Sequence, residues 1–168
     1  FLFLVPSSML STVSALGAQN IGAGKPERAV QTLRYAMLIT VSFGVVAAIS
    51  VQFLAQPIVG LFTPDDAVIH AGGQYLRGYI WDCIFAGIHF SFSGYFCACG
   101  KSGISFLHNL SSIVLVRIPG VYWTSKHFAD TLFPMGLATT AGSLLSVAIC
   151  ITAFLLLSRS RRTEQVGG

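Results

Sequence analysis

Charge is what this sequence has least of. Only 10% of its 168 residues are Asp, Glu, Lys or Arg, against 54% hydrophobic. Soluble domains carry about 25% charged residues, so this chain lacks the polar surface to face water on every side. Acids are scarcest: six Asp and Glu stand against ten Lys and Arg, for a net charge of +4. Cysteine is sparse too. Cys83, Cys97, Cys99 and Cys150 all lie in apolar surroundings, and Cys97-Ala-Cys99 lacks the two-residue spacer of zinc and redox pairs. Neither a disulfide framework nor a metal site is expected. No nucleophile–base pair, phosphate loop or metal-ligand cluster stands in a recognised catalytic context, so no enzyme is expected. The basic balance does not indicate nucleic acid as a partner, because the bases sit in loops and a tail rather than in a patch among aromatics. The opening "FLFLVPSSML" has no initiator Met and no basic stretch before its apolar run. It is not a signal peptide, and reads as a cut through a hydrophobic segment of something longer.

Long uncharged runs are what the sequence does have. Phe1 to Gly24, Tyr35 to Pro64 and Thr131 to Ser158 contain no Asp, Glu, Lys or Arg. Gly78 to Gly100 is interrupted only by Asp82, with His89 besides, and Ser102 to Ser125 only by Arg117. A bilayer needs about 20 apolar residues per helix at about 1.5 Å each, and each run is long enough. Lipid cannot satisfy exposed backbone groups, and the runs are too long and unalternating for barrel strands. The expected fold is all-α: a polytopic membrane bundle of five spanning helices over about 1–22, 29–60, 68–98, 104–126 and 132–157, with a basic tail over 159–168. Membrane lipids are the first expected partner.

Successive loops alternate sides. The first loop, the third and the tail carry Lys25, Arg28, Arg34, Lys101, Arg159, Arg161 and Arg162; the other two carry Arg77 and Lys126 beside Asp65, Asp66 and Asp130. By the positive-inside rule the first group is cytoplasmic, the C-terminus included. Gly and Pro in "GAGKPERA" break the chain into an elbow, and Lys25 and Arg28 hold it at the anionic leaflet. Ala15, Gly17, Ala18, Gly22 and Ala23 before it allow helices to approach closely. Gln19 and Asn20 are expected to cap or cross-link helices there.

Asp82 is the leading candidate for chemistry. Counting ten residues from Gly72 at about 1.5 Å each places it about 15 Å deep, near the bilayer midplane. An acid at that depth must be paired or protonated, which makes it a functional candidate by default. Tyr75, Tyr79, Asp82, Ala86 and His89 fall on one face of a continuous helix, where tyrosine hydroxyls beside an acid could bind a cation or carry a proton. His89 could relay protons near neutral pH or simply bond a neighbouring helix. Arg117, two residues before Pro119, could pair with Asp82, snorkel to an interface or bond carbonyls freed by the proline. Ser7, Ser8, Ser11, Thr12 and Ser14 make the first helix polar for lipid; they line a cavity or bond back to their own backbone.

"TVSALGAQNIGAGKPERA" closely resembles the signature of the multidrug and toxic compound extrusion (MATE) transporters, a helix ending in Gly-Gln-Asn-x-Gly-Ala, a short basic loop and an Arg-Ala pair. The resemblance rests here on Gly17, Gln19, Asn20, Gly22 and Arg28. "LFTPDDAVIHAGGQYLR", "GYFCACGKSG" and "LVRIPGVYW" resemble later pieces in the same order, so the likeness runs from about Ser11 to Leu157. It implies two six-helix bundles around a central cavity, with this chain as the last five helices of twelve and an N-terminal bundle of the same polypeptide as its partner. It implies an antiporter in the plasma membrane that exports amphipathic, often cationic, small molecules, driven by a proton or sodium gradient, with no cofactor beyond the coupling H+ or Na+. One branch of that family places its helix acid about three turns before the closing glycine, which here falls near Ile88 and His89 rather than at Asp82. A lipid-linked sugar flippase or polysaccharide exporter, and a non-transporting membrane scaffold, are the rival readings.

Overall fold

The computed structural model describes residues 3–128 and 131–166, with side chains through Arg159. Asp130 and the side chains of Arg161 and Arg162, used above for topology, lie outside the described residues. Helices α1 (Leu4–Gly22), α2 (Pro26–Gly60), α3 (Asp66–Tyr79), α4 (Asp82–Ala98), α5 (Ser102–Ser112), α6 (Ile118–His127) and α7 (Phe133–Val166) follow in order, with a π-helical turn, Ile113–Arg117, joining α5 to α6. No strand occurs among the described residues. Among the described residues three helical stretches are long and apolar enough to cross a membrane: Pro26–Gly60, Ser102–His127 and Phe133–Arg159.

Three boundaries differ from expectation. The second helix starts at Pro26 rather than 29, because proline at the first helical position lacks an N–H that would be unpaired there anyway. The stretch expected as one helix over 68–98 is two, α3 and α4, separated at Ile80 and Trp81. There the backbone ladder tightens to i−3 bonds: Cys83 N–H donates to Ile80 O at 3.0 Å and Ile84 N–H to Trp81 O at 3.3 Å. The residues expected as a separate tail continue α7 to Val166, since nothing between Ser158 and Val166 is a Gly or Pro that would stop a helix.

The two elbows have one construction. Gly24 and Gly100 both sit at φ 71°. Lys25 N–H bonds Asn20 O at 2.9 Å and Gly24 N–H bonds Ile21 O at 3.0 Å; Lys101 N–H bonds Phe96 O at 2.8 Å and Gly100 N–H bonds Cys97 O at 3.0 Å. Each is a glycine-terminated helix end that returns two otherwise unpaired carbonyls to the backbone. Gly100→Ala forces a side chain into the left-handed region and is expected to cost about 1–2 kcal/mol, read as a lower thermal midpoint in detergent micelles.

Helix α4 lies at the centre, packed on α1, α2, α5 and α7. Val13, Leu33, Phe92, Phe96 and Cys150 form one buried cluster around it, and Ala48, Val51, Ile80 and Cys83 a second. Asp82 opens α4 next to Cys83 of the second cluster.

Candidate functional site

Polar side chains meet along the seam where α4, the α5–α6 stretch and α7 face one another. Helix α7 supplies buried Thr140, Ser143 and Ser146, with Cys150 one turn on. Their spacing puts them on one stripe of an otherwise apolar helix. Two groups form against that stripe.

The first is built on Asp82. Its carboxyl group is 1% exposed, and Arg117 Nη2 stands 3.4 Å from Oδ2. The same guanidinium nitrogen donates to Ser143 Oγ at 2.6 Å. Asp82 Oδ1 and Arg117 Nε are buried without a partner. As the first residue of α4, Asp82 also faces the positive end of a helix dipole. The break at Ile80 and Trp81 therefore does two things: it sets a helix start inside the bundle, and it puts an acid there. Arg117 closes the π-helical turn, a local widening often found at functional positions. Gly142 makes room for it, since a Cβ there would stand 2.5 Å from Arg117 Cγ. Of the fates open to Arg117 in the sequence, pairing with Asp82 is the one observed.

The second group centres on His108, 1% exposed. Ser146 Oγ donates to the His108 carbonyl at 3.2 Å. Its single proton thus spent, it accepts from Nδ1 at 2.9 Å. That assigns the proton to Nδ1 and leaves Nε2 to accept from Ser93 Oγ at 2.7 Å. One imidazole so ties α4, α5 and α7 together. Ser146→Ala strands the Nδ1 proton and is expected to cost about 1–3 kcal/mol, measurable by denaturant titration in micelles. His89, 3% exposed, lies 5.7 Å from His108 between ring centroids, and neither of its ring nitrogens has a partner.

Tyr75 and Tyr79 do not join Asp82 in one cavity. They stack at 5.5 Å, Phe3 lies 5.2 Å from Tyr79, and the tyrosines line a cavity of about 440 Å³ with Ile58, Val59, Phe62 and Gly72. The helix carrying them ends at Tyr79, and Asp82 opens the next one after Ile80 and Trp81. Tyr79 remains within electrostatic reach of Asp82.

The elbow residues act within the fold. Gly17 packs on Ala98, where a Cβ would approach to 2.8 Å. Asn20 Nδ2 donates to Leu16 O of its own helix at 2.7 Å rather than across helices. Gln19, Gly22 and Arg28 are exposed. Ser7, Ser8 and Thr12 donate back to carbonyls of α1. Gln52 links α2 to Arg77 O at 3.1 Å. No group of three or more His, Cys, Asp or Glu that could hold a metal ion occurs among the described residues.

Sequence reasoning missed His108, Ser93, Ser143 and Ser146. The hydroxyl stripe of α7 was the available signal.

Comparison with known proteins adds an independent finding. The family model MatE matches residues 1–123. The chain is similar to the FAD transporter of Shewanella oneidensis, with 30% identity over 120 residues, covering 70% of this chain and 26% of that protein. The match thus spans about a quarter of the relative's length. No solved structure matches significantly.

Proposed function

The chain belongs to the MatE family, and from that premise we propose that it is one bundle of a secondary active transporter that exports amphipathic compounds in exchange for a proton or a sodium ion. In this reading α1, α2, α3 with α4, α5 with α6, and α7 form five spans. The opposing bundle belongs to the same, longer polypeptide, and the two rock so that the cavity between them opens alternately to each side. The protein sits in the plasma membrane with the basic elbows and C-terminus cytoplasmic, as the asymmetry of the loop charges supports.

The observation that carries this reading is Asp82, a carboxyl group buried in an apolar bundle with one oxygen unpartnered and one cation beside it. Such a group binds and releases a cation as its surroundings change. Two substrate charges fit. A cationic drug could compete with Arg117 for Asp82. An anionic flavin nucleotide could be held by Arg117, and the name of the Shewanella relative, FAD transporter, favours this second charge. A lipid-linked sugar exporter would need more cavity bases than Arg117, and a scaffold would not need Asp82 at all.

In cells making the intact protein, Asp82→Asn is expected to lower efflux of ethidium or of FAD to the background of cells lacking the transporter, at unchanged membrane expression. Normal efflux of both would remove Asp82 from the mechanism.

A further inference from the structure

The aromatic cavity and a second one on the bundle differ in charge. The aromatic one has only the tyrosine hydroxyls as ionisable groups. The other, about 550 Å³, is lined by Arg117 with Ile118, Val121, Tyr122, Ser125 and Met135. Resting on the transport reading above, we propose that this second cavity is a subsite, separate from that of the exchanged compound, for an amphipathic anion, a phosphate or carboxylate on an apolar body, and that filling it makes Asp82 take up a proton.

Position decides the sign of the ligand. The Arg117 side chain is 28% exposed and Asp82 only 1%, so a molecule in the cavity meets the guanidinium and not the carboxylate behind it. The pair is held by one nitrogen and one oxygen at 3.4 Å, longer than the two parallel bonds of about 2.7–2.9 Å that a committed arginine–carboxylate pair makes. Among the described residues only Nη2 of the guanidinium makes hydrogen bonds, so donors remain for an incoming anion. Lys126 adds a second positive charge, its ammonium 4.7 Å above the ring of Tyr122 in the cavity wall. Ile118, Val121 and Met135 supply the apolar wall, and the volume falls in the range of about 300–1,000 Å³ that holds drug-sized ligands.

The proton follows from the pairing. An anion that engages Arg117 draws away the cation that, among the described residues, is paired with a buried carboxylate, and a buried charge left alone is relieved by neutralisation. Other titratable groups around Asp82 do not replace Arg117: among the described residues no ion pair or hydrogen bond joins His70, Tyr75 or Arg77 of α3 to it. Tyr79 and Cys83 supply no cation; His89, beside His108, has no hydrogen-bond partner on either ring nitrogen. Helix α1 has no ionisable side chain, α2 beyond Arg34 has only exposed Tyr35, and α7 before Arg159 has only Cys150. Protonation of Asp82 is therefore the remaining route to neutrality.

The test uses the intact protein in phosphatidylcholine nanodiscs, titrated with octyl phosphate and, as the opposite charge on the same tail, octyltrimethylammonium. Calorimetry in two buffers of different ionisation enthalpy counts the protons taken up. Octyl phosphate is expected to bind at least about tenfold more tightly than the ammonium, with uptake of about one proton per molecule. Arg117→Gln should remove that preference. Val121→Trp, which fills the cavity and leaves the ion pair in place, should weaken octyl phosphate about tenfold. Asp82→Asn, which removes the competitor for Arg117, should tighten it and abolish proton uptake. Adding phosphatidylglycerol separates the sources: weakened octyl phosphate binding identifies a lipid phosphate as an occupant, unchanged binding a soluble amphiphile, and both support the site. Equal binding of the two charges, or binding without proton uptake, overturns it. If Asp82→Asn transports normally while octyl phosphate still draws a proton into the wild type, the transport reading fails and the subsite stands.

Discussion

Replacing Arg117 with Leu is expected to destabilise the bundle by about 3–5 kcal/mol, the usual cost of leaving a buried charge without its partner. Among the described residues Asp82 pairs with no second cation: its near oxygen stands 3.4 Å from Arg117 and its other oxygen has no hydrogen-bond partner. The converse change is expected to be milder. In Asp82→Asn the orphan is Arg117, which already lines a cavity and is 28% exposed, so its head can turn outward. The double variant Asp82→Asn/Arg117→Leu should regain most of the loss, with a coupling of about 1–3 kcal/mol between the two positions. The penalty in Arg117→Leu should also shrink from about pH 8 to about pH 5, because a lone carboxylate is relieved by taking a proton. Unfolding in mixed micelles at both pH values reads all four variants. Equal stability of Arg117→Leu and the parent would mean that the pair holds nothing.

Gly94→Leu is expected to cost about 3 kcal/mol or more, the upper range for forcing volume into a packed interior. A Cβ at Gly94 would stand 2.5 Å from Leu10 O, 3.0 Å from Val13 Cβ and 3.2 Å from Ser14 N. Two of these three are backbone atoms of α1, which cannot rotate away, so α1 itself must lift from α4. Val13, fully buried at this contact, would be uncovered with it. Gly103→Ala is the matched control: nothing lies within 4 Å of that position, and alanine in a helix gains up to about 1 kcal/mol over glycine. Thermal midpoints in detergent should fall steeply for the first and hold or rise for the second.

The all-helical nature of the chain was readable because it depends on bulk composition: uncharged runs of this length have few other stable forms. The elbows were readable because Gly24 and Gly100 act locally, through a backbone angle that other residues avoid. The division of α3 from α4 was not readable. "GYIWDC" contains no proline, and its glycine, Gly78, acts through tertiary contact: Gly78 and Gly136 bring the backbones of α3 and α7 together, so that a Cβ on Gly136 would stand 2.6 Å from Tyr75 O. The Asp82–Arg117 pair was among the readings because each is the lone charge of its sign in an apolar stretch. His108 and its serines were missed because a scan for charge passes over hydroxyls, although Thr140, Ser143 and Ser146 recur every third residue. A small polar side chain in an apolar helix is satisfied by a neighbour that only the packing reveals.

Exchange in proteoliposomes tests the central claim most directly. The intact protein is reconstituted, an inward proton or sodium gradient is imposed, and uphill movement of substrate is followed with and without Asp82→Asn. The account predicts gradient-driven movement in the parent and only downhill leakage in the variant, with both proteins equally inserted. Uphill transport by the variant at the parent's rate would contradict it.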